Sequence, residues 1–356
     1  MIAQKIGRHD LAAEQFQQAI NVNNSIAKLH FNLGTSLLPL GRKEEAIACY
    51  KKAISLDPNL PEFHYNLANI FKEIKRFNDA AAYYKQAISI QPNYIDAYFH
   101  LGSTLTENEQ FDEAINCFQK LLTIKPGFPA AQHLLNALTG NTSDSAPREY
   151  VKGVFNSYAD NFENHLVKTL EYKTPSLINE AILNFAGLEK RFKNVLDVGC
   201  GTGLMGVEVR DISEKLIGID LSENMVGLAE KKGVYDELHV DDIIDRMQSL
   251  DVSFDLIIAS DVFVYIGDLS QVFYCANKCL TNSSLFVFST EHTENQEFII
   301  QNTGRYAHSK NYIFSVAEKS GFHVEYFTNT KLRKHKTENN WIIGGIYLLT
   351  KQQQLI

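Results

Sequence analysis

Proline runs out early in this chain: all eight prolines lie at or before Pro175. An Asx-Pro-Pro-aromatic grip on a flipped nucleobase is therefore excluded beyond that point, as is a Pro-Cys nucleophile, and nucleic-acid bases become poor candidate substrates. Cysteine is scarce and odd in number, at five, with no paired framework. That usage fits a reducing, cytoplasmic compartment. Cys275 and Cys279 stand four apart, on one helix face, with no second ligand pair, so they are expected as buried small residues, and no metal site is expected. Positive charge is in deficit: 34 Lys and Arg against 42 Asp and Glu give −8, which argues against a general nucleic-acid binder. Long apolar runs are missing too. The longest, near Leu256 and Trp341, suit strands, and no membrane span is expected. The opening Met-Ile-Ala-Gln-Lys-Ile-Gly-Arg has no secretory apolar core.

What is present divides at about residue 140. The 356-residue length allows two domains. Ala27 to Leu60, Pro61 to Tyr94 and Ile95 to Phe128 align without gaps at a period of 34. The eighth place holds Gly34, Ala68 and Gly102, and the twentieth Ala46, Ala80 and Ala114. The twenty-fourth holds Tyr50, Tyr84 and Phe118, and the thirty-second Pro58, Pro92 and Pro126. Small residues where two helices touch, an aromatic knob and a helix-ending proline are what a stacked helical hairpin requires. The pattern resembles the tetratricopeptide repeat, and the resemblance implies a solenoid that recruits a protein or peptide. Ala12, Phe16 and Ala19 fall in the phase of a second helix. Met1 therefore enters midway through a repeat: either the chain begins with an unpaired helix, or the native protein continues upstream. Pro129 to Leu138 is expected to cap the array, giving a repeat domain over 1–140. Gly140-Asn-Thr-Ser-Asp-Ser-Ala-Pro147 is polar and turn-rich, the best linker candidate, so 141–149 is assigned as linker.

The remainder, 150–356, begins with helices over 150–192 and continues as a core over 193–356 in which strands and helices alternate. Strands are expected near Asn194–Val198, Lys215–Asp220, Glu237–Asp241, Phe254–Ser260, Ser284–Thr290, Phe322–Asn329 and Trp341–Thr350. The last two have only a short connection and should be antiparallel neighbours. In Val195-Leu-Asp-Val-Gly-Cys-Gly-Thr-Gly203 an apolar run ends in glycines at every second position. Such a run reads as a buried parallel strand, and its glycines let the backbone turn sharply and let a ligand lie against bare main chain.

Gly201-Thr-Gly203-Leu-Met-Gly206 also satisfies G-x-G-x-x-G, which alone would permit a nicotinamide or flavin. Three features favour S-adenosylmethionine. Asp197 precedes Gly199 by two residues, where dinucleotide folds usually carry an apolar residue. Asp220 ends the second strand, placed for the ribose hydroxyls, with Met225 to flank the adenine; its alternative role is a helix N-cap. Asp242 follows the third strand, placed for the adenine amine, with Ile243 over a ring face; its alternative is a solvated loop acid. Together these resemble the class I S-adenosylmethionine-dependent methyltransferases over about Asn194 to Thr350. The resemblance implies a seven-stranded Rossmann-like α/β fold, the cofactor and methyl transfer. It carries the glycine motif onto Gly199, Gly201 and Gly203 and the two acids onto Asp220 and Asp242; Asp197, Cys200, Leu221, Ser260 and Tyr158 complete the expected cofactor shell. One departure is visible: Leu280-Thr-Asn-Ser-Ser284 replaces the usual proline-glycine before the fifth strand. Repeats joined to such a domain, with Val154-Phe-Asn-Ser-Tyr158-Ala-Asp-Asn-Phe162-Glu-Asn-His165 between them, resemble a group of bacterial repeat-containing methyltransferases.

Asp261 and Tyr265 fall just past the fourth strand, where methyl donor and acceptor meet, and are candidate catalytic groups; the alternative for Asp261 is a turn cap. Gly304-Arg305-Tyr306-Ala-His308-Ser-Lys-Asn-Tyr312 reads as a lid or substrate loop, with His308 a candidate base and Arg305 a carboxylate clamp. Tyr306 and His292 join Arg305 as candidate substrate contacts. Tyr158, Phe162 and His165 share one helix face, either closing over the cofactor or packing on the sheet. Lys331-Leu-Arg-Lys-His-Lys336 reads as a solvated hairpin. The expected activity is methyl transfer to a small-molecule or protein acceptor. A repeat scaffold with a vestigial, cofactor-binding domain and a nicotinamide or flavin oxidoreductase are the alternatives.

Overall fold

The computed structural model describes residues 8–294, 296–334 and 340–352. The chain forms two compact units, Met1–Thr139 and Gly140–Ile356.

The first unit is a run of helices: α1 (His9–Val22), α2 (Ala27–Leu37), α3 (Lys43–Leu56), α4 (Pro61–Glu73), α5 (Phe77–Ile90), α6 (Ile95–Glu107), α7 (Phe111–Ile124) and α8 (Pro129–Thr139). The 34-residue phases become contacts. A Cβ added to Gly34 would lie 2.9 Å from the Tyr50 ring, and one on Gly102 2.7 Å from Phe118. Glycine at the eighth place thus lets the aromatic knob of the paired helix reach the backbone. Tyr50, Tyr84 and Phe118 are completely buried. The prolines end the second helices by a local mechanism: Asp57, Gln91 and Lys125 precede Pro58, Pro92 and Pro126, and all three leave the helical region (ψ 92, 92 and 85°). The proline ring disfavours a helical conformation for the residue before it. Helix α1 buries Ala12, Ala13, Phe16 and Ile20.

The second unit begins with α9 (Arg148–Glu163), a π-helical turn (Asn164–Thr169) and α10 (Thr174–Ala186). Then come β1 (Phe192–Val198), α11 (Leu204–Val209), β2 (Ser213–Asp220), α12 (Glu223–Lys232), β3 (Glu237–Val240), α13 (Ile243–Ser249), β4 (Phe254–Ala259), α14 (Ser270–Cys279) and β5 (Leu280–His292). The chain continues as β6 (Phe298–Ile300), β7 (Tyr306–His308), α15 (Lys310–Lys319), β8 (Phe322–Lys334) and β9 (Trp341–Lys351). Strands β3-β2-β1-β4-β5 are parallel in that order. β9 lies antiparallel between β5 and β8. The sheet is doubly wound, with one apolar core on each face; Cys275 and Cys279 belong to one of them.

Three local readings change. The segment over 304–312 is not a loose lid: Tyr306–His308 forms β7, paired parallel with the end of β5 and antiparallel with β6. The polar stretch read as a linker is tied to this unit. Ala146 N donates to Tyr265 O at 2.9 Å, and the Asp144 carbonyl accepts from Gly267 N and Asp268 N. Where proline-glycine was missing before the fifth strand, Ser283 itself takes a left-handed φ of +61°. Overfilling the eighth-place contact should destabilise the first unit: Gly102→Val is expected to cost about 1–3 kcal/mol and Phe118→Ala about 3–5 kcal/mol, read as the loss in denaturant midpoint of the repeat unit.

Candidate functional site

Strand β1 lies between β2 and β4, so its carboxyl end opens a crevice where strand order reverses. Gly199, Gly201 and Gly203 all have positive φ (69, 54 and 87°). The backbone bend is closed on itself: Cys200 N donates to Ile219 O at 2.9 Å, and Gly203 N to Cys200 O at 2.9 Å. An added Cβ on Gly201 would meet nothing, so this position presents open main chain. Gly199 differs, since its Cβ would collide with Val262 at 2.4 Å. Gly203, Gly206 and Gly218 serve a packing purpose: all three make room for the Tyr235 ring.

Tyr235, which sequence reasoning missed, donates to Asp197 Oδ2 at 2.6 Å. Asp197 is fully buried, and its Oδ1 has no hydrogen-bond partner. Burial pushes its pKa from an ordinary 3.8 to about 7, against the Tyr235 hydrogen bond and with the charge of Asp220 adding to the rise. Asp220 turns into the same bend: Oδ2 accepts from Gly201 N at 2.9 Å and Oδ1 from Ser222 N at 2.8 Å. It is not the helix cap; Ser222 caps α12 by accepting from Met225 N. Burial raises the Asp220 pKa, and its backbone donors oppose the rise.

The remaining expected cofactor residues divide. Asp242 Oδ1 caps α13, accepting from Ile244 N and Asp245 N, while Oδ2 pairs with Arg148 Nε at 2.9 Å. Both oxygens thus have protein partners, as do those of Asp220. Met225 has no exposed surface, and Ile243 is 9% exposed. Leu221 is partly exposed beside Asp220. Ser260 Oγ lies 3.0 Å from Tyr172 Oη.

Helix α9 covers this rim. Asn156 Oδ1 accepts from Ser222 Oγ at 2.6 Å, and Asn156 O from Asn224 Nδ2 at 2.9 Å. Arg148 reaches Asp242 and Asp245, Lys152 reaches Glu223, and Glu163 reaches Lys232 at 2.5 Å. On α9, Phe155 meets Tyr265 edge-on at 5.4 Å, and Tyr158 meets Phe162 at 5.7 Å. The side chain of His165 lies outside the described residues.

Beyond β4 the structure gathers charge. Asp261 takes a left-handed φ of +61°, with its N donating to Ser289 Oγ at 2.9 Å. Arg305 Nη2 reaches both Asp261 oxygens at 3.1 Å, its Nε reaches Glu291 Oε1 at 2.8 Å, and its Nη1 reaches Tyr265 Oη at 3.3 Å. Arg333 Nη2 donates to the same Glu291 Oε1 at 2.8 Å, and Gln301 to Oε2 at 2.7 Å. Burial works against the Arg305 charge, but Glu291 and Asp261 hold its pKa well above the ordinary value. Burial also raises the phenols of Tyr265 and Tyr172, and that of Tyr158 to about 12. Asp261, Tyr265 and Arg305 thus meet, as sequence placement suggests, but as one salt-bridged network rather than as separate catalytic and clamping groups. Glu291 is its hub, and Glu291, Arg333 and Tyr172 were all missed. Arg333 sits inside the basic run that read as a solvated hairpin, yet it is 91% buried (9% exposed).

His308 does not join them. It is fully buried in β7, with Nε2 donating to Ile266 O and Gly267 O at 2.9 and 3.0 Å. Burial lowers its pKa to about 4 despite those carbonyls. Its other nitrogen is buried without a partner, so no substrate reaches a free lone pair. Tyr306 is fully buried with its hydroxyl 2.8 Å from Ser143 Oγ, and His292 Nε2 pairs with Glu294; neither stands in the network.

A methyltransferase-domain family model matches residues 170–341, and tetratricopeptide-repeat models match 37–75 and 71–138. The chain is a tetratricopeptide-repeat protein with a methyltransferase domain. It is 30% identical over 115 residues to a protein named as a methyltransferase from a Geobacillus strain, covering 31% of this chain and 47% of that one. It is 23% identical over 133 residues to a ubiquinone biosynthesis O-methyltransferase of Hydrogenovibrio crunogenus (36% and 54%). The chain thus spans about half the length of these relatives. Among solved structures, a magnesium protoporphyrin IX methyltransferase from Synechocystis with bound S-adenosylhomocysteine aligns over 58% of this chain and 99% of its own, at 15% identity and a TM-score of 0.45.

The methyltransferase domain's Asp197 carries a pH signature. Between about pH 4 and 7 the folded protein keeps a proton there that the unfolded chain has released, so stability falls as pH rises through that window. Asp220, Cys200 and Tyr235, the titratable groups acting on Asp197, stay unchanged in the comparison. The stability of Asp197→Asn relative to the parent should therefore rise by about 2–3 kcal/mol from pH 5 to pH 8. Parallel curves across that range in denaturant unfolding would refute the assignment.

Proposed function

We propose that the second unit binds S-adenosylmethionine at the glycine bend and transfers its methyl group to a small-molecule or protein acceptor, with the repeats recruiting a protein partner. The observation that carries this reading is the convergence, at one strand end, of open main chain at Gly201, the Asp220 carboxylate and the unpartnered Asp197 Oδ1. A cationic amino acid joined to a ribose suits that donor set. Asp197 Oδ1 accepts from an ammonium, Asp220 and the adjoining Leu221 border the sugar, and bare backbone accommodates the chain between them. When bound, the group supplies an activated methyl carbon. The chain's own residues hold it and exclude water. Tyr235 keeps Asp197 oriented, and α9, tied by Asn156, Lys152 and Arg148 to the loops after β2 and β3, shields the rim. The Asp242 carboxylate, already engaged, serves by fixing the α13 N-terminus and the α9 tether.

The concave face expected of tetratricopeptide hairpins supports a peptide or carrier-protein partner. The five unpaired cysteines support a reducing, cytoplasmic setting; no helix among the described residues is long and apolar enough to cross a membrane.

Isothermal titration of the full chain with S-adenosylhomocysteine should show binding. Asp220→Ala should weaken it at least tenfold, about 1.4 kcal/mol, with unfolding still cooperative. A folded parent protein that binds no S-adenosylhomocysteine would sink the reading.

A further inference from the structure

We propose that the methyl acceptor is a carboxylate on an apolar or aromatic body, and that Arg333 holds that carboxylate. This rests on the methyl-transfer reading above and narrows it to a substrate class.

Arg305, the residue the sequence offers as a clamp, is already engaged: Asp261, Glu291 and Tyr265 take all three of its nitrogens. Arg333 is different. One amino group binds Glu291, and its remaining N–H groups make no hydrogen bond or ion pair with the described residues. The side chain keeps 11% exposure, so those donors are not sealed in protein. A planar guanidinium with free, parallel donors matches a carboxylate in two-point geometry. The two acids and two arginines cancel in charge, so the network itself does not repel an arriving anion. Position agrees as well. Tyr158 and Tyr265 both lie close enough to Arg333 to be influenced by its charge. Val262, next to Asp261, abuts the glycine bend at Gly199. Phe155, Tyr158, Phe162 and Tyr265 form an aromatic wall suited to the body of the acceptor.

The chemistry points the same way. An alcohol, phenol or ammonium acceptor must lose a proton, and the network offers no group to take it. His308 is sealed in β7, the phenols are held protonated, and Asp261 and Glu291 are committed to arginines and Gln301. A carboxylate needs no base. Its oxygen lone pair forms the new O–CH3 bond, the S–CH3 bond breaks with its pair left on sulfur, and the negative and positive charges vanish together. The products are a neutral methyl ester and a neutral thioether, with no proton released.

The test exploits the alkali lability of methyl esters, which release methanol where methyl ethers and N-methyl groups do not. The full chain is incubated with methyl-labelled S-adenosylmethionine and phenylacetate, octanoate, 2-phenylethanol, p-cresol, 2-phenylethylamine or a bacterial cell extract. Label volatile as methanol after alkali, from a carboxylate or the extract, is the expected result. Arg333→Gln should reduce it at least tenfold while leaving S-adenosylhomocysteine binding unchanged, and Arg333→Lys should restore part of it. Phenylacetate titrated into the S-adenosylhomocysteine-loaded protein should bind, and bind at least tenfold more weakly to Arg333→Gln. Alkali-stable label overturns the proposal, as does cofactor binding with no label transferred to any carboxylate or to the extract. Should the parent protein bind no S-adenosylhomocysteine, the failure lies instead with the methyl-transfer reading.

Discussion

The hydrogen bond from Gly201 N to Asp220 Oδ2 joins the two loops on which the second unit is organised. It links the ends of adjacent parallel strands, β1 and β2, and the Cys200 N to Ile219 O bond repeats the link one residue earlier. A left-handed backbone at Gly199, Gly201 and Gly203 is the condition for both, because side chains there are strained or collide. The same bend leaves one carboxylate oxygen of Asp197 buried and unpartnered. A buried acid without its full set of donors is costly unless a ligand completes it. The bend therefore both builds the crevice and buries an acid beneath it.

Around that bend the unit is fastened by long-range polar contacts. Helix α9 reaches the loops after β2 and β3 through Arg148, Lys152 and Asn156, and it presents Phe155 to Tyr265. On the other flank, Asp144 and Ala146 bind the backbone of Tyr265, Gly267 and Asp268. The loop after β4 is thus held by chain that precedes the sheet and by Arg305, which follows β6. Such fastening suits a site that must hold reacting groups in register and keep water out.

The charged network beyond β4 is a buried ionic network whose value lies in geometry more than in net stability. Taking four charges from water is expensive, and their mutual attraction roughly offsets that expense. What the arrangement secures is direction: Glu291 fixes both arginines, Asp261 and Tyr265 complete the shell of Arg305, and Arg333 is left with donors to offer.

Local patterns in the sequence determined the repeat array, the positions of most strands along the chain, and the glycine-rich turn after the first strand. These follow from short-range rules: proline disfavours a helical residue before it, small residues admit an aromatic knob at a fixed spacing, and an apolar run ending in glycine turns. Tertiary structure alone decided the charged network beyond β4. Arg305 and Asp261 are separated by 44 residues and Arg333 and Glu291 by 42, and no periodicity encodes such pairs. It also sealed His308 into β7, because whether an imidazole faces a substrate or two carbonyls depends on strand pairing rather than on its neighbours in the chain. It buried Arg333 within a basic run that reads as solvent-exposed, because β8 extends to Lys334 and carries that one guanidinium to Glu291.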